Sequence, residues 1–376
     1  MKISNNLKTF LNTNIYPKTA LCKLIEAGHD LGQDEWLHAL VLLGLRLNQD
    51  ALIFQPYPPG IAAIKDPDEY MELRGTGTVE KRLRTADGAT ISIWERKAEP
   101  HKPHFIIYHG QMGHWGDAGS PDYDRRAYLK ILSEIEKTGS GFTAVHLRGY
   151  GNSIGKPKEL YNSSAKAFSR DIDAVIKHVK EDLKIPSGQI INCGVSLGAS
   201  LAAETADKMT AIGCPPNQLV ICNPFTNMAR AASEFANKHI NDQKHQTKHI
   251  ISISPQAIAT KLKHPFQTDV HIANLSPTTG VYIFNSGADD FLDPLHGQEL
   301  AEIAKAKGLK VQHRIEPGLN HNTIPAKEVV EDVMKLYEES QKQPDNSLLG
   351  RLLVTRKNIF RTFYPDRVNK SSSAER

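Results

Sequence analysis

What this chain lacks narrows its chemistry first. Its four cysteines, Cys22, Cys193, Cys214 and Cys222, form no C-x-x-C pair, so neither a redox dithiol nor a thiolate zinc site has its usual sequence form. Cys193 and Cys222 sit in apolar runs, where a thiol serves as a small hydrophobe. No apolar run reaches the roughly 20 residues of a bilayer-spanning helix; the longest, Trp36 to Leu47, is interrupted by His38 and Arg46. Met1 to Asn14 has no apolar centre of the kind a secretory signal carries, and a cytoplasmic protein is expected. A large excess of charge of one sign is lacking as well. The formal net charge is +4 over 376 residues, and Asn346 to Arg376 hold seven Lys/Arg against two acids, which leaves the rest near neutral. A body that binds nucleic acid is therefore not expected.

What is present is core and rhythm. Hydrophobic residues make up 40% of the chain, enough for one large α/β domain with attachments. Residues 1–74 read as a helical N-terminal extension, with patches at Ala20 to Ala27 and Asp34 to Leu47 and an extended, proline-rich end from Ile53 to Gly60. Two alternating segments, Val79 to Leu83 and Ala89 to Trp94, flank Asp87-Gly88 and predict a hairpin. Strands follow at His104 to Tyr108, Phe142 to Leu147, Ile190 to Val195, Gln218 to Cys222, Gly280 to Asn285 and Lys310 to Ile315. Helical segments separate them at Asp124 to Lys137, Ala165 to Asp182, Leu197 to Met209, Pro294 to Ala306 and Pro325 to Ser340. Strands alternating with helices mean βαβ crossovers and a mostly parallel sheet flanked by helices. Residues 223–277 break the alternation and read as a helical cap inserted into a domain spanning residues 75–343.

One turn carries the strongest chemical signal. In Gly194-Val195-Ser196-Leu197-Gly198 a strand runs directly into a helix around a serine. Gly194 and Gly198 suit the crowding of such a turn, which holds Ser196 at its tip with Oγ clear of the sheet and the Leu197 N–H facing any charge that develops there. A serine nucleophile needs a base, and the base needs an acid to orient it. The loop after strand Gly280 to Asn285 contains Asp289, Asp290 and Asp293. The loop after strand Lys310 to Ile315 contains His321. Both lie at carboxyl ends of strands, where open α/β sheets place their sites.

Taken in order, His109-Gly110, Arg148-Gly149-Tyr150-Gly151-Asn152-Ser153, the Ser196 turn, Asn223-Pro224-Phe225-Thr226, the aspartate loop and the His321 loop make the stretch from about Phe54 to Ser340 resemble the α/β-hydrolase superfamily. Within it the resemblance is to serine esterases and thioesterases of the monoglyceride-lipase and membrane-associated lineages. It implies an α/β-hydrolase fold and a triad of Ser196, Asp290 and His321, with Asp289 the other candidate for the acid. It further implies oxyanion-hole N–H groups from Gln111 and Leu197, loop support from His109, Gly110, Gly194 and Gly198, and no cofactor or metal. The implied substrate is a small-molecule or lipid acyl ester or thioester. Amide hydrolysis or acyl transfer on the same triad, and a non-catalytic binding protein, are the other readings.

Other features read more plainly. Arg148 is expected to brace loops, and Asp171 and Asp173 to lie on a solvated helix face. Of the cap histidines only His245 and His249 have a chelating spacing, and a metal there is not expected. Residues 344–376 carry Leu348, Leu349, Leu352, Leu353, Ile359, Phe360 and Phe363 interleaved with basic residues, an amphipathic pattern suited to docking on the domain or to peripheral membrane contact.

Overall fold

In the computed structural model of the protein, the residues described are 49–50, 53–54, 66–111, 115, 127–242 and 252–342. The helical patches of the N-terminal extension, His245 and His249, and the tail 344–376 lie outside them. Contact density divides the chain into Met1–Val333 and Met334–Arg376. The described part of the second unit is the end of the last helix.

The first unit is built on one eight-stranded sheet. Strands β1 (Val79–Arg84) and β2 (Thr90–Arg96) form the expected hairpin, with Leu83 opposite Ile91. Gly88 takes φ 88° in the turn, where a side chain would be strained. The remaining strands are β3 (His104–Tyr108), β4 (Gly141–Val145), β5 (Ile190–Val195), β6 (Gln218–Cys222), β7 (Gly280–Ser286) and β8 (Val311–Glu316). Their spatial order is β1-β2-β4-β3-β5-β6-β7-β8. Strand β2 meets β4 antiparallel, and every later pairing is parallel. Every residue of β3, β4, β5 and β6 is buried, as parallel strands covered by helices on both faces require.

Helices α1 (Ala127–Lys137), α2 (Ala165–Lys177), α3 (Leu197–Ala211), α7 (Leu295–Ala306) and α8 (Ala326–Lys342) alternate with the strands. Ser164 caps α2 by accepting the Ala167 N–H at 3.1 Å. Its buried Phe168, Ile172, Val175 and Ile176 form the single apolar stripe of an amphipathic helix. In contrast, α3 buries Ala199, Ala202, Ala203 and Ala206 together with Leu197 and Leu201, so small side chains let it lie close to the sheet. The cap between β6 and β7 contains α4 (Met228–Asp242), α5 (Pro255–Ala259) and α6 (Thr268–Ala273).

The N-terminal segment is tied to the cap where it is described. Gln49 donates through Nε2 to the Lys261 carbonyl at 3.1 Å and accepts the Lys263 N–H at 2.7 Å. The Phe54 ring stands edge-on to Phe168 and to His264. Ile53, expected to begin an extended stretch, instead ends a helical turn. Among the described residues no helix is long and apolar enough to cross a membrane.

Two buried ionic clusters sit on the β1–β2 side of the sheet. Asp171, read from sequence as solvated, is buried and paired with Arg148; only Asp173 of that pair is exposed. The correction follows from burial of the Arg148 guanidinium, which needs carboxylate partners at the same depth. In the second cluster His178 faces Glu95 at 2.6 Å through Nε2 and Asp182 at 2.8 Å through Nδ1. With a carboxylate on each ring nitrogen, both N–H groups donate and the imidazolium is favoured.

The Glu95 hydrogen bond raises the His178 pKa above its ordinary 6.5. For Glu95, hydrogen bonds from His178 and Lys81 outweigh the opposing effect of burial, so its pKa lies below the ordinary 4.5. The His178 contribution to stability is then complete below pH 6.5 and is lost as pH rises through its raised value. The Glu95 contribution is present above pH 4.5 and is lost as pH falls through its lowered value. Thermal melts of wild type and His178→Gln across pH should therefore differ most between 4.5 and 6.5 and converge as the buffer becomes alkaline. A difference that grows with alkalinity would refute the charged pair.

Candidate active site

Ser196 stands where β5 passes into α3, with φ 54° and ψ −117°. The turn is crowded by backbone. A Cβ on Gly194 would come within 2.0 Å of the Gly198 carbonyl oxygen, and one on Gly198 within 2.3 Å of the Tyr108 carbonyl oxygen at the end of β3. Only glycine fits at either position. The Ser196 N–H donates to the Cys222 carbonyl at 2.9 Å, which hangs the turn on the end of β6.

His321, in the loop after β8, brings Nε2 to 3.1 Å from Ser196 Oγ. Its Nδ1 lies 2.6 Å from Asp289 Oδ2. The carboxylate beside the histidine thus differs from the first expectation: Asp289, not Asp290, faces His321. The hydrogen-bond pattern of the loop explains why. Asp289 Oδ1 accepts the N–H groups of Phe291 and Leu292 at 2.9 and 2.8 Å, which turns its other oxygen toward His321. The next side chain points outward: Asp290 is exposed, and its main-chain carbonyl accepts a 2.6 Å bond from Lys238 Nζ on α4. The Asp289 side chain is 1% exposed and that of His321 10%. Ser196 itself is 9% exposed.

On the other side of Ser196 lies the loop after β3. His109 Nε2 accepts the Leu147 N–H at 3.2 Å. Its Nδ1 therefore carries the proton and donates to the Gly110 carbonyl at 2.7 Å. The Gly110 N–H donates to the Tyr128 hydroxyl at 2.9 Å. A Cβ on Gly110 would sit 2.8 Å from that hydroxyl and 3.4 Å from Ser196 Cβ, so the loop backbone passes close beside the serine. Gln111 follows at the edge of the described loop. Leu197 is the first residue of α3, so its N–H has no carbonyl one turn back within the helix. The rings of His109, Trp115, Tyr128 and Tyr150 pack together behind this loop.

Phe291, 38% exposed, places its ring 5.1 Å from that of His321 and 5.7 Å from that of Phe235 on α4. The site therefore has one aromatic flank supplied by the acid loop and the cap. The thiols of Cys193 and Cys222 lie beneath it beside an apolar void of about 20 Å³. Burial pushes the Cys222 thiol up to about 12 and that of Cys193 higher than its ordinary value. Neither is a thiolate nucleophile at neutral pH. Among the described residues no group of three or more His, Cys, Asp or Glu is placed to hold a metal ion.

A parallel sheet with an antiparallel hairpin at one edge, a serine at a strand-to-helix turn after β5, and an acid and a histidine after β7 and β8 together constitute the α/β-hydrolase fold. The comparisons agree. Residues 124–274 match the family described as Serine aminopeptidase, S33, a span that includes Ser196 but neither Asp289 nor His321. The human protein ABHD12B is 27% identical over 71% of this chain and 73% of its own length. Lysophosphatidylserine lipase ABHD12 of Xenopus tropicalis is 28% identical over 44% of this chain, which spans 39% of that relative's length. Among solved structures, the Pyrococcus furiosus esterase Pf2001 superposes with a TM-score of 0.55 at 16% identity, over 76% of this chain and 98% of its own. The chain resembles the serine hydrolases of the α/β-hydrolase superfamily in sequence and shares their fold.

Proposed function

We propose that the chain is a serine hydrolase that cleaves a carboxylic ester or thioester of a small or lipid-like acyl substrate through an acyl-enzyme intermediate. One observation carries the reading: His321 bridges Ser196 Oγ at 3.1 Å and Asp289 Oδ2 at 2.6 Å through opposite ring nitrogens. His321 Nε2 takes the Ser196 proton as Oγ attacks the acyl carbonyl carbon, and Asp289 holds Nδ1–H and stabilises the imidazolium. The developing oxyanion is received by main-chain N–H groups at Leu197 and Gln111. The imidazolium then protonates the leaving oxygen or sulfur. Water, deprotonated by the same histidine, releases the acid and restores Ser196. The relatives named as a lipase and an esterase, and the exposed Phe291 ring beside His321, favour an acyl chain over a purely polar substrate.

The test is a fluorophosphonate probe followed by a substrate panel. Wild type is expected to label at Ser196 and Ser196→Ala not to label, with both melting at similar temperatures. Folded wild type that resists the probe would reject the reading. p-Nitrophenyl esters of increasing acyl length, acyl-CoA and a lysophospholipid then divide the substrate classes. Amide hydrolysis is a second reading, favoured by the match of residues 124–274 to the aminopeptidase family. Faster turnover of an aminoacyl anilide than of every ester in the panel would select it.

A further inference from the structure

Beyond the three reacting groups, we infer that Asn223 is a positioning residue for the base, and that the dipeptide Cys222-Asn223 sets the separation of Ser196 from His321. The inference rests on the reading of Ser196, His321 and Asp289 as a catalytic triad. Cys222 closes β6 with its carbonyl on the Ser196 N–H at 2.9 Å. The next residue, Asn223, is fully buried and takes φ 46°, a conformation that asparagine tolerates better than other side chains with a Cβ. That turn directs its amide across the end of β7. Nδ2 donates to the His321 carbonyl at 2.8 Å and to Ser286 Oγ at 3.0 Å, and Oδ1 accepts the Ser286 N–H at 2.7 Å. Its own N–H donates to the Phe284 carbonyl at 2.8 Å.

Nucleophile and base are therefore hung from adjacent residues of one strand end. The loop carrying His321 has other ties, from Ala288 N–H to the Leu319 carbonyl and from Ser286 Oγ to the Thr323 carbonyl. These run to β7 and the acid loop, so they hold the base relative to Asp289. The Asn223 amide ties the His321 main chain to the end of β6, whose Cys222 carbonyl in turn holds the Ser196 N–H. Displacing a catalytic group by about 1 Å can reduce turnover on the order of 10²-fold. Asn223 is fully buried and offers no surface to a substrate, so the loss is expected to fall on kcat and spare KM.

Asn223→Asp removes the donor to His321 while keeping the acceptor for the Ser286 N–H and a residue type that tolerates this φ. Asn223→Gly removes the side chain and leaves the backbone unstrained. Thr279→Val serves as the comparison, since it deletes a buried bond from Thr279 Oγ1 to the Pro216 carbonyl at the opposite end of β7. The assay uses full-length protein, the best ester of the panel, and the downfield proton signal of the His321–Asp289 hydrogen bond. In both Asn223 variants kcat is expected to fall on the order of 10²-fold with KM within about twofold, and the downfield signal to shift or broaden. Thr279→Val loses thermal stability and keeps kcat and signal. Wild-type kcat in either folded Asn223 variant overturns the inference. So does failure of both to fold, which would make the residue architectural. Wild type that neither labels with the probe nor turns over any substrate would instead reject the triad reading on which the inference stands.

Discussion

If Ser196, His321 and Asp289 act as proposed, Asp289→Asn is expected to lower kcat on the order of 10⁴-fold, because an asparagine amide facing Nδ1 favours the imidazole tautomer that places the proton on Nε2, where it cannot accept from Ser196. Asp290→Asn leaves kcat within about twofold, the scale of an ordinary exposed substitution. The contrast is sharp because the two residues are adjacent and chemically identical. Asp289 is seated by two main-chain N–H groups and directs its second oxygen at His321. Asp290 takes part through its carbonyl, which holds Lys238. Steady-state kinetics of both variants decide the matter, and a crippled Asp290→Asn beside an active Asp289→Asn would reverse the assignment.

Arg148→Ala destabilises the fold by about 3–5 kcal/mol, the range for removing one partner of a buried ionic network. Its guanidinium is 1% exposed and spans two carboxylates: Nη1 reaches Asp87 Oδ2 at 2.7 Å, and Nη2 reaches Asp171 Oδ1 at 2.5 Å. Nη1 also donates to the Leu160 carbonyl at 3.0 Å, and Nη2 to Thr85 Oγ1 at 3.3 Å. Removing it leaves the Asp171 carboxylate, 3% exposed, without its cation. Arg148 holds Asp87 far below the usual carboxylate range, while burial pushes Asp171 up against the pull of the same arginine. Urea titrations give the loss directly. Arg148→Lys recovers part of it, since one ammonium cannot reproduce the planar fork. An Arg148→Ala variant as stable as wild type would show that the network contributes nothing net.

The frame was legible because its signals are local. Strands His104 to Tyr108, Ile190 to Val195 and Gln218 to Cys222 fall at their expected ends, as buried runs bounded by turn residues should. The Ser196 turn was legible for a different reason: Gly194 and Gly198 answer to main-chain collisions that no other residue survives. The acid was harder. Asp289 and Asp290 share a loop and a charge, and the difference between them lies in which carboxylate the Phe291 and Leu292 N–H groups grip, a detail that spacing does not encode. Asp171 was misread because a helix-face pattern says nothing of an arginine arriving from another loop. Asn223 was visible as one landmark among several, yet its task depends on meeting His321 across 98 residues of sequence.

The backbone of Ser196 carries a further consequence. A side chain at φ 54° and ψ −117° occupies a region that glycine enters freely and serine enters at an expense of about 1–3 kcal/mol. On the proposed chemistry, selection for a more durable fold and selection for turnover pull in opposite directions at this position, so a lineage that abandoned that chemistry would drift toward glycine at residue 196 and grow more robust as it fell silent.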